Sequence, residues 1–152
     1  MSIEISAAQN NHERVLIIDF GSQVTKLIAR RVRESGVYSE VHPYNKIDDA
    51  LLAEYAPNAI ILSGGPSSVG TAKSPRIHDT VFDLGVPILG ICYGQMAMVH
   101  QLGGSAEAAD EREFGRAELE IVQNSPLFDA IGKVGTSHTV WMTRGDRVKK
   151  SP

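Results

Sequence analysis

An α/β fold with a doubly wound, mostly parallel sheet flanked by helices is predicted for this 152-residue chain. Three features of the sequence predict it. Short, continuous apolar runs recur through the first two-thirds of the chain, as in strands buried on both faces. Each run is followed by a stretch with helical spacing, and glycine turns separate the two. Strand and helix in alternation call for parallel strands joined by helical crossovers.

The first strand is Val15-Leu16-Ile17-Ile18-Asp19-Phe20. Gly21-Ser22 turns the chain, and Ser22 is placed to cap a helix over residues 23–35 that Gly36 ends. Within that helix Val24, Leu27, Ile28, Arg31 and Val32 follow one helical stripe, the expected inward face. A second strand is expected over Tyr38 to His42 and a short helix over Ile47 to Tyr55. The third strand, Ala59-Ile60-Ile61-Leu62, runs straight into Ser63-Gly64-Gly65-Pro66. A helix is expected from Pro75 to Leu84, a fourth strand from Val86 to Ile91, and a helix from Gly94 to Leu102, closed by Gly103-Gly104. Beyond it, Phe114 to Val122 alternates apolar and charged, as a strand with one solvated face does. Ser125-Pro126-Leu127-Phe128 begins a helical turn, and Thr139-Val140-Trp141-Met142 is a further strand.

Composition bounds the function. A hydrophobic content of 42% and a charged content of 22% are those of an ordinary globular domain. The net charge of −3 gives no electrostatic case for nucleic acid or an anionic membrane, and no apolar run approaches spanning length. The polar, mixed residues 1–13 are expected to be a flexible leader rather than a secretory signal, with one domain over 14–152. One cysteine makes no internal disulfide, which agrees with a cytoplasmic setting. The chain stops at Lys149-Lys150-Ser151-Pro152 shortly after a strand, and reads as a domain whose C-terminal part lies further on.

In doubly wound sheets ligands gather outside the carboxyl ends of the strands, and three glycine turns converge on that rim: Phe20-Gly21-Ser22, Ser63-Gly64-Gly65-Pro66 and Cys92-Tyr93-Gly94. Most lone cysteines are small buried hydrophobes. Cys92 differs, because Gly90-Ile91-Cys92-Tyr93-Gly94 switches a strand into a helix with glycines two residues to either side. That is the layout of a nucleophile elbow, with sulfur in place of oxygen. The turn pushes the side chain into the open, and the helix dipole favours thiolate, the form that attacks an amide carbon. The resulting oxyanion needs backbone donors. The N–H of Tyr93 supplies one, and a glycine N–H of Ser63-Gly64-Gly65-Pro66 the other. Taken alone that glycine loop is a plain turn; beside the elbow it gains a role. Neither a dinucleotide nor a Walker phosphate signature occurs. The histidines, His12, His42, His78, His100 and His138, include none followed two residues later by a carboxylate, so the elbow has no evident base. The single cysteine and scattered histidines lack metal-ligand spacing.

These residues resemble the class I (triad-type) glutamine amidotransferase domain, which has a flavodoxin-like fold. The elbow and Ser63-Gly64-Gly65-Pro66 carry the resemblance to the class. Ile18-Asp19-Phe20-Gly21-Ser22-Gln23, Ile28 to Glu34, Glu111-Arg112-Glu113-Phe114-Gly115, and Val140-Trp141-Met142 with Gly145-Asp146 carry a finer likeness, to the N-terminal glutaminase domains of the GMP synthase family. The resemblance implies that Cys92 attacks the side-chain amide of L-glutamine to give a thioester and ammonia. Gly65 and Tyr93 would be the oxyanion donors, and Gly64, Gly65, Gly94, Gln95, Thr143, Gly145 and Asp146 would contact substrate. It further implies an ATP-pyrophosphatase (synthetase) domain, in the same chain or as a subunit, that uses ATP and Mg2+ to aminate XMP to GMP; the glutaminase domain itself needs no cofactor.

Three departures stand out. The family's His-x-Glu pair is absent from residues 1–152, so this chain alone is expected to be inactive. The family's glutamine four residues after the nucleophile is Met96 here, with Gln95 one place early. Thr143-Arg144 replaces the family's Ser-His. A glutamine-binding or synthetase-docking module without catalysis, and an amidotransferase subunit of another synthase, are the alternatives.

Overall fold

A computed structural model describes residues 12–152, apart from the side chains of residues 108–113 and 143–145. The expected leader therefore lies outside the described residues as far as residue 11. Two compact units emerge, one running up to Ala106 and taking in Val148–Pro152, the other Glu107–Arg147.

The first unit is built on four strands, β1 (Arg14–Asp19), β2 (Tyr38–Pro43), β3 (Ala59–Leu62) and β4 (Ile88–Gly90). Their order is β2-β1-β3-β4, and every neighbouring pair is parallel. Parallel neighbours cannot be joined by tight hairpins, and the helices α1 (Thr25–Glu34), α2 (Asp49–Tyr55) and α3 (Thr80–Asp83) make the crossovers. Helix α4 (Tyr93–Gln101) leaves β4.

Side chains alternate along a strand, so the two faces of the sheet can be told apart by register. Leu16 and Ile18 of β1 and Ile60 and Leu62 of β3 share one face and pack with Leu52 and Tyr55 of α2, with Ile77, and with Val81 of α3 in a single apolar core. Ile17 points the other way and is also fully buried. Ser39 lies on that second face, since it pairs with Val15, and its hydroxyl donates to the Ala29 carbonyl of α1 at 3.2 Å. Helices thus cover both faces, as the apolar runs require.

Two helices depart from expectation. Helix α1 starts at Thr25, and Ser22 serves the turn before it: its Oγ accepts from the Val24 N–H at 3.2 Å. The buried positions of α1 are Thr25 and Ala29, while Val24 and Leu27 from the expected stripe are each about half exposed, at 51% and 50%. A polar partner explains the rotation. The Thr25 hydroxyl reaches Asp19 Oδ1 at 2.8 Å and Ser63 Oγ at 3.0 Å, which turns this residue inward. The helix expected from Pro75 forms only over Thr80–Asp83. Its first half is held by the Gln101 side chain instead, whose Oε1 accepts from the Ile77 N–H at 2.8 Å while Nε2 donates to the Ile77 carbonyl at 3.0 Å. Those backbone groups are satisfied without a helical ladder.

The second unit is built on a long hairpin of β5 (Ser105–Glu120) and β6 (Ser137–Lys150). Both strands extend well beyond the apolar segments that predicted them, through stretches rich in charge. Cross-strand pairs hold them: the Thr139 hydroxyl donates to Glu118 at 2.7 Å, and Arg147 pairs with Glu107 at 3.0 Å. The connection contains a helical turn at Pro126–Phe128, with Ser125 Oγ accepting from the Leu127 N–H.

Two expected outcomes follow from this packing. Asp48 caps α2, accepting from the Leu51 N–H at 2.8 Å, so Asp48→Ala is expected to cost about 1 kcal/mol in urea unfolding. Tyr55 donates its hydroxyl to the Val15 carbonyl, and burial pushes its pKa from 10.0 up to about 12. The folded chain keeps this proton above pH 10 when the unfolded chain has lost it, so stability is full below about pH 10 and falls as pH climbs toward 12. Thermal melts across that window are expected to show the fall, and Tyr55→Phe is expected to flatten it.

Candidate functional site

The carboxyl ends of β3 and β4 build the elbow. The Ile91 N–H donates to the Leu62 carbonyl at 2.9 Å, which carries the parallel pairing one residue past β4 and delivers Cys92 to the first turn of α4. Cys92 itself takes φ 53° and ψ −118°. Among the described residues only Ala56 joins it as a non-glycine with positive φ. Such a backbone costs on the order of 1–3 kcal/mol and persists only where the surroundings enforce it.

The flanking glycines do the enforcing. A Cβ on Gly90 would stand 2.6 Å from the Gln95 Cα, and one on Gly94 would stand 2.4 Å from the Leu62 carbonyl oxygen. Neither has positive φ, so their role is close approach rather than backbone freedom. The result is an exposed thiol at the positive end of a nine-residue helix.

The loop after β3 lies against this thiol. A Cβ on Gly64 would be 3.2 Å from Cys92 Cβ and 3.5 Å from Sγ, so the glycine leaves the sulfur's flank open. A Cβ on Gly65 would fall 2.3 Å from the Phe20 carbonyl oxygen, which fixes glycine there as well. Among the described residues neither the Gly65 nor the Tyr93 N–H has a backbone acceptor. The Gly94 N–H is occupied, donating to the carbonyls of Ser63 and Ile91 at 3.0 Å each. Two unoccupied backbone donors therefore lie in the segments around the thiol, one in the glycine loop after β3 and one in the residue after Cys92.

Tyr93 presents only its backbone to this rim. Its ring is buried against Phe20 with centroids 5.3 Å apart, and its hydroxyl donates to the Pro75 carbonyl. Burial raises its phenol pKa. The swapped pair on α4 also separates cleanly: Met96 is buried and Gln95 is exposed. Asp19, Thr25 and Ser63, to which no chemical role is assigned by sequence, form a polar knot beneath the loop. The visible signal was a carboxylate at the end of an apolar strand.

The remaining candidates lie elsewhere. Asp146 is on β6 in the second unit, and Thr143 and Gly145 fall outside the described side chains. Two histidines are engaged away from the thiol, His42 with Glu40 at 2.9 Å and His78 with Asp49 at 2.8 Å. Among the described residues no group of three His, Cys, Asp or Glu side chains is placed to hold a metal ion, and no helix is long and apolar enough to cross a membrane.

The two glycines beside the thiol make separable predictions. Gly94→Ala drives a methyl into the Leu62 carbonyl and is expected to cost about 3 kcal/mol or more in denaturant unfolding. Gly64→Ala meets side chains only, Cys92 at 3.2 Å and Ser22 at 3.7 Å, so stability is expected to change by less than about 1.5 kcal/mol while alkylation of the thiol by iodoacetamide slows several-fold.

The chain is similar to known proteins. Residues 16–152 match the family described as glutamine amidotransferase class-I. The chain is 58% identical over 142 residues to a GMP synthase (glutamine-hydrolysing) of Phenylobacterium zucineum, covering 93% of this chain and 27% of that protein. It is 50% identical over 161 residues to the protein of that name from Bradyrhizobium diazoefficiens, covering 99% of this chain and 29% of the relative. The chain thus spans little more than a quarter of the length of these relatives, and the match is to their N-terminal glutaminase part. Among solved structures, a candidate GMP synthase component from Thermoplasma acidophilum superposes with a TM-score of 0.71 at 26% identity, over 93% of this chain and 69% of that one. A glutamine amidotransferase from Thermotoga maritima, at 20% identity, shares the fold with a TM-score of 0.65, over 91% of this chain and 63% of that one.

Proposed function

The chain belongs to the class I glutamine amidotransferase family, and from that footing we propose that its elbow is the glutaminase centre that feeds ammonia to a GMP-forming synthetase. The observation that carries this reading is the strained Cys92 backbone at the head of α4, with an exposed thiol against Gly64 and with the N–H groups of Gly65 and Tyr93 free of backbone acceptors.

The Cys92 thiolate attacks the side-chain amide carbon of L-glutamine, forming a C–S bond and placing negative charge on the amide oxygen. The Gly65 and Tyr93 N–H groups hold that oxygen while the tetrahedral centre forms, and they need no reorganisation to do so. The amide nitrogen takes a proton from water and leaves as ammonia, with the C–N bond broken and the glutamyl thioester left on sulfur. Water then attacks the thioester and releases glutamate. Gly64 keeps the sulfur accessible, and Gln95, exposed in the first turn of α4, is the side chain of this segment placed to meet the substrate.

The name borne by the relatives extends the proposal. The ammonia goes to an ATP-pyrophosphatase domain that aminates XMP to GMP, so the partner is that domain and the setting is cytoplasmic purine nucleotide synthesis. ATP and Mg2+ belong to the synthetase step, and nothing at Cys92 draws on them.

Alkylation and turnover separate in this chain: alkylation needs only the Cys92 sulfur, whereas protonating the leaving nitrogen and activating the water that ends the cycle call for an acid–base group. No histidine in residues 1–152 is followed two residues later by a carboxylate, the His-x-Glu spacing of that base, and His42 and His78 are paired with Glu40 and Asp49. A chloromethyl ketone shaped like glutamine is expected to label one equivalent of protein at Cys92, with L-glutamine protecting the thiol and Cys92→Ala abolishing the adduct. Steady-state ammonia release by the same chain is expected to stay at background. Labelling that L-glutamine does not slow would remove glutamine from the proposal, and enzyme-like turnover would remove the missing base.

A further inference from the structure

We propose that Ser63, braced by Thr25 and Asp19, is the positioning residue that aims both oxyanion donors at Cys92. The inference deepens the glutaminase reading and rests on it. Ser63 is fully buried and tied at every polar atom. Its N–H donates to the Ile18 carbonyl at 2.9 Å, which locks it to the end of β1. Its carbonyl accepts the Gly94 N–H at 3.0 Å, which fixes the peptide next to the Tyr93 N–H. Its hydroxyl has the Gly64 carbonyl at 3.1 Å and Asp19 Oδ1 at 3.4 Å as acceptors, and Oγ accepts from the Phe20 N–H at 3.3 Å.

The contact to Gly64 does the aiming. The Gly64 carbonyl and the Gly65 N–H belong to one planar trans peptide and point in opposite directions. A hydroxyl that holds the carbonyl on one side directs the N–H to the other. Through its two peptides, then, Ser63 reaches both donors: the Gly65 N–H by way of the Gly64 carbonyl, and the Tyr93 N–H by way of Gly94.

Thr25 and Asp19 hold the hydroxyl in place. Thr25 Oγ1 lies 2.8 Å from Asp19 Oδ1 and 3.0 Å from Ser63 Oγ. Asp19 Oδ1 also accepts from the Gly21 N–H at 2.9 Å. The two hydroxyl protons are thus shared among one carboxylate oxygen, the Gly64 carbonyl, the Ser22 carbonyl 3.3 Å from Thr25 Oγ1, and Ser63 Oγ itself. A buried knot of this kind is costly to leave half satisfied, which makes its geometry stiff. It also accounts for the inward turn of Thr25 on a helix whose apolar Val24 and Leu27 remain exposed.

The test compares two reactions of the same thiol on the whole chain. With p-nitrophenyl acetate, sulfur bonds to the acetyl carbon through a tetrahedral oxyanion, and nitrophenolate leaves with its electron pair. With iodoacetamide, sulfur displaces iodide at a saturated carbon and no oxyanion forms. Ser63→Ala is expected to slow acylation about tenfold or more and to change alkylation by less than about twofold, since only acylation uses the donors. Ser63→Thr, which keeps the hydroxyl, is expected to recover most of the acylation rate. Thr25→Val is expected to shift the ratio the same way by a smaller factor, and it serves where Ser63→Ala does not fold. Loss of both reactions together, or no change in their ratio for either variant, overturns the proposal. Neither reagent is a glutamine analogue, so this ratio can stand even if the chloromethyl ketone experiment removes glutamine.

Discussion

The close approach of α4 to the end of β3 is the constraint on which the rim depends. The Leu62 carbonyl accepts the Ile91 N–H and lies 2.4 Å from where a Gly94 side chain would begin, so backbone packs on backbone with nothing between. Such contact forces the chain to turn within one residue, and that residue is Cys92, at φ 53°. The strain is held by buried neighbours on both sides: Leu62 belongs to the core, and Tyr93 packs its ring onto Phe20. A thiol on an unstrained loop would gain neither the exposure nor the fixed relation to the first N–H of the helix.

Apolar and polar packing divide the labour in the first unit. The face of the sheet toward α2 and α3 is a continuous apolar core, which supplies burial without direction. The opposite face carries hydrogen bonds at Thr25, Ser39 and Ser63, each nearly or fully buried and each partnered. Burying hydroxyls contributes little net stability, but partnered hydroxyls admit few alternative geometries. The directional contacts sit where the catalytic reading needs distances held, and the non-directional ones sit where it needs only bulk.

Most of the first unit was legible because its signals are local. Ala59 to Leu62 is a pure apolar run followed closely by glycines, and it forms a strand over those very residues. The sharp turn at Cys92 was legible because glycines two residues to either side of it, at a strand-to-helix switch, mark a close backbone approach. What escaped was non-local. The backbone at Ile77 is satisfied by Gln101, far along the chain, and helical spacing cannot report that. Thr25 was hidden by its own type, since a threonine next to Val24 reads as the polar side of a helix until Asp19 and Ser63 are known to face it. The full length of the hairpin was missed for a related reason: cross-strand pairs such as Arg147 with Glu107 support charged stretches that lack an alternating pattern of their own.

The rotation of α1 shows how function leaves a trace in packing. Left to the hydrophobic effect, Val24 and Leu27 would turn inward, for each half-exposed side chain forgoes part of the roughly 1.5–3 kcal/mol that full burial brings. Thr25 takes the inward place instead and commits its hydroxyl to contacts with Asp19 and Ser63 that contribute about 1 kcal/mol apiece at best. On stability alone the two arrangements are close to even, so stability gives no reason to prefer the one observed. They differ in what they do to the glycine loop. With leucine or valine inside, Ser63 would keep the Gly64 carbonyl, the Phe20 N–H and the more distant Asp19 carboxylate as partners of its hydroxyl. With threonine inside, Oγ also accepts from the Thr25 hydroxyl at 3.0 Å, so the hydroxyl that touches the Gly64 carbonyl is braced from a further side.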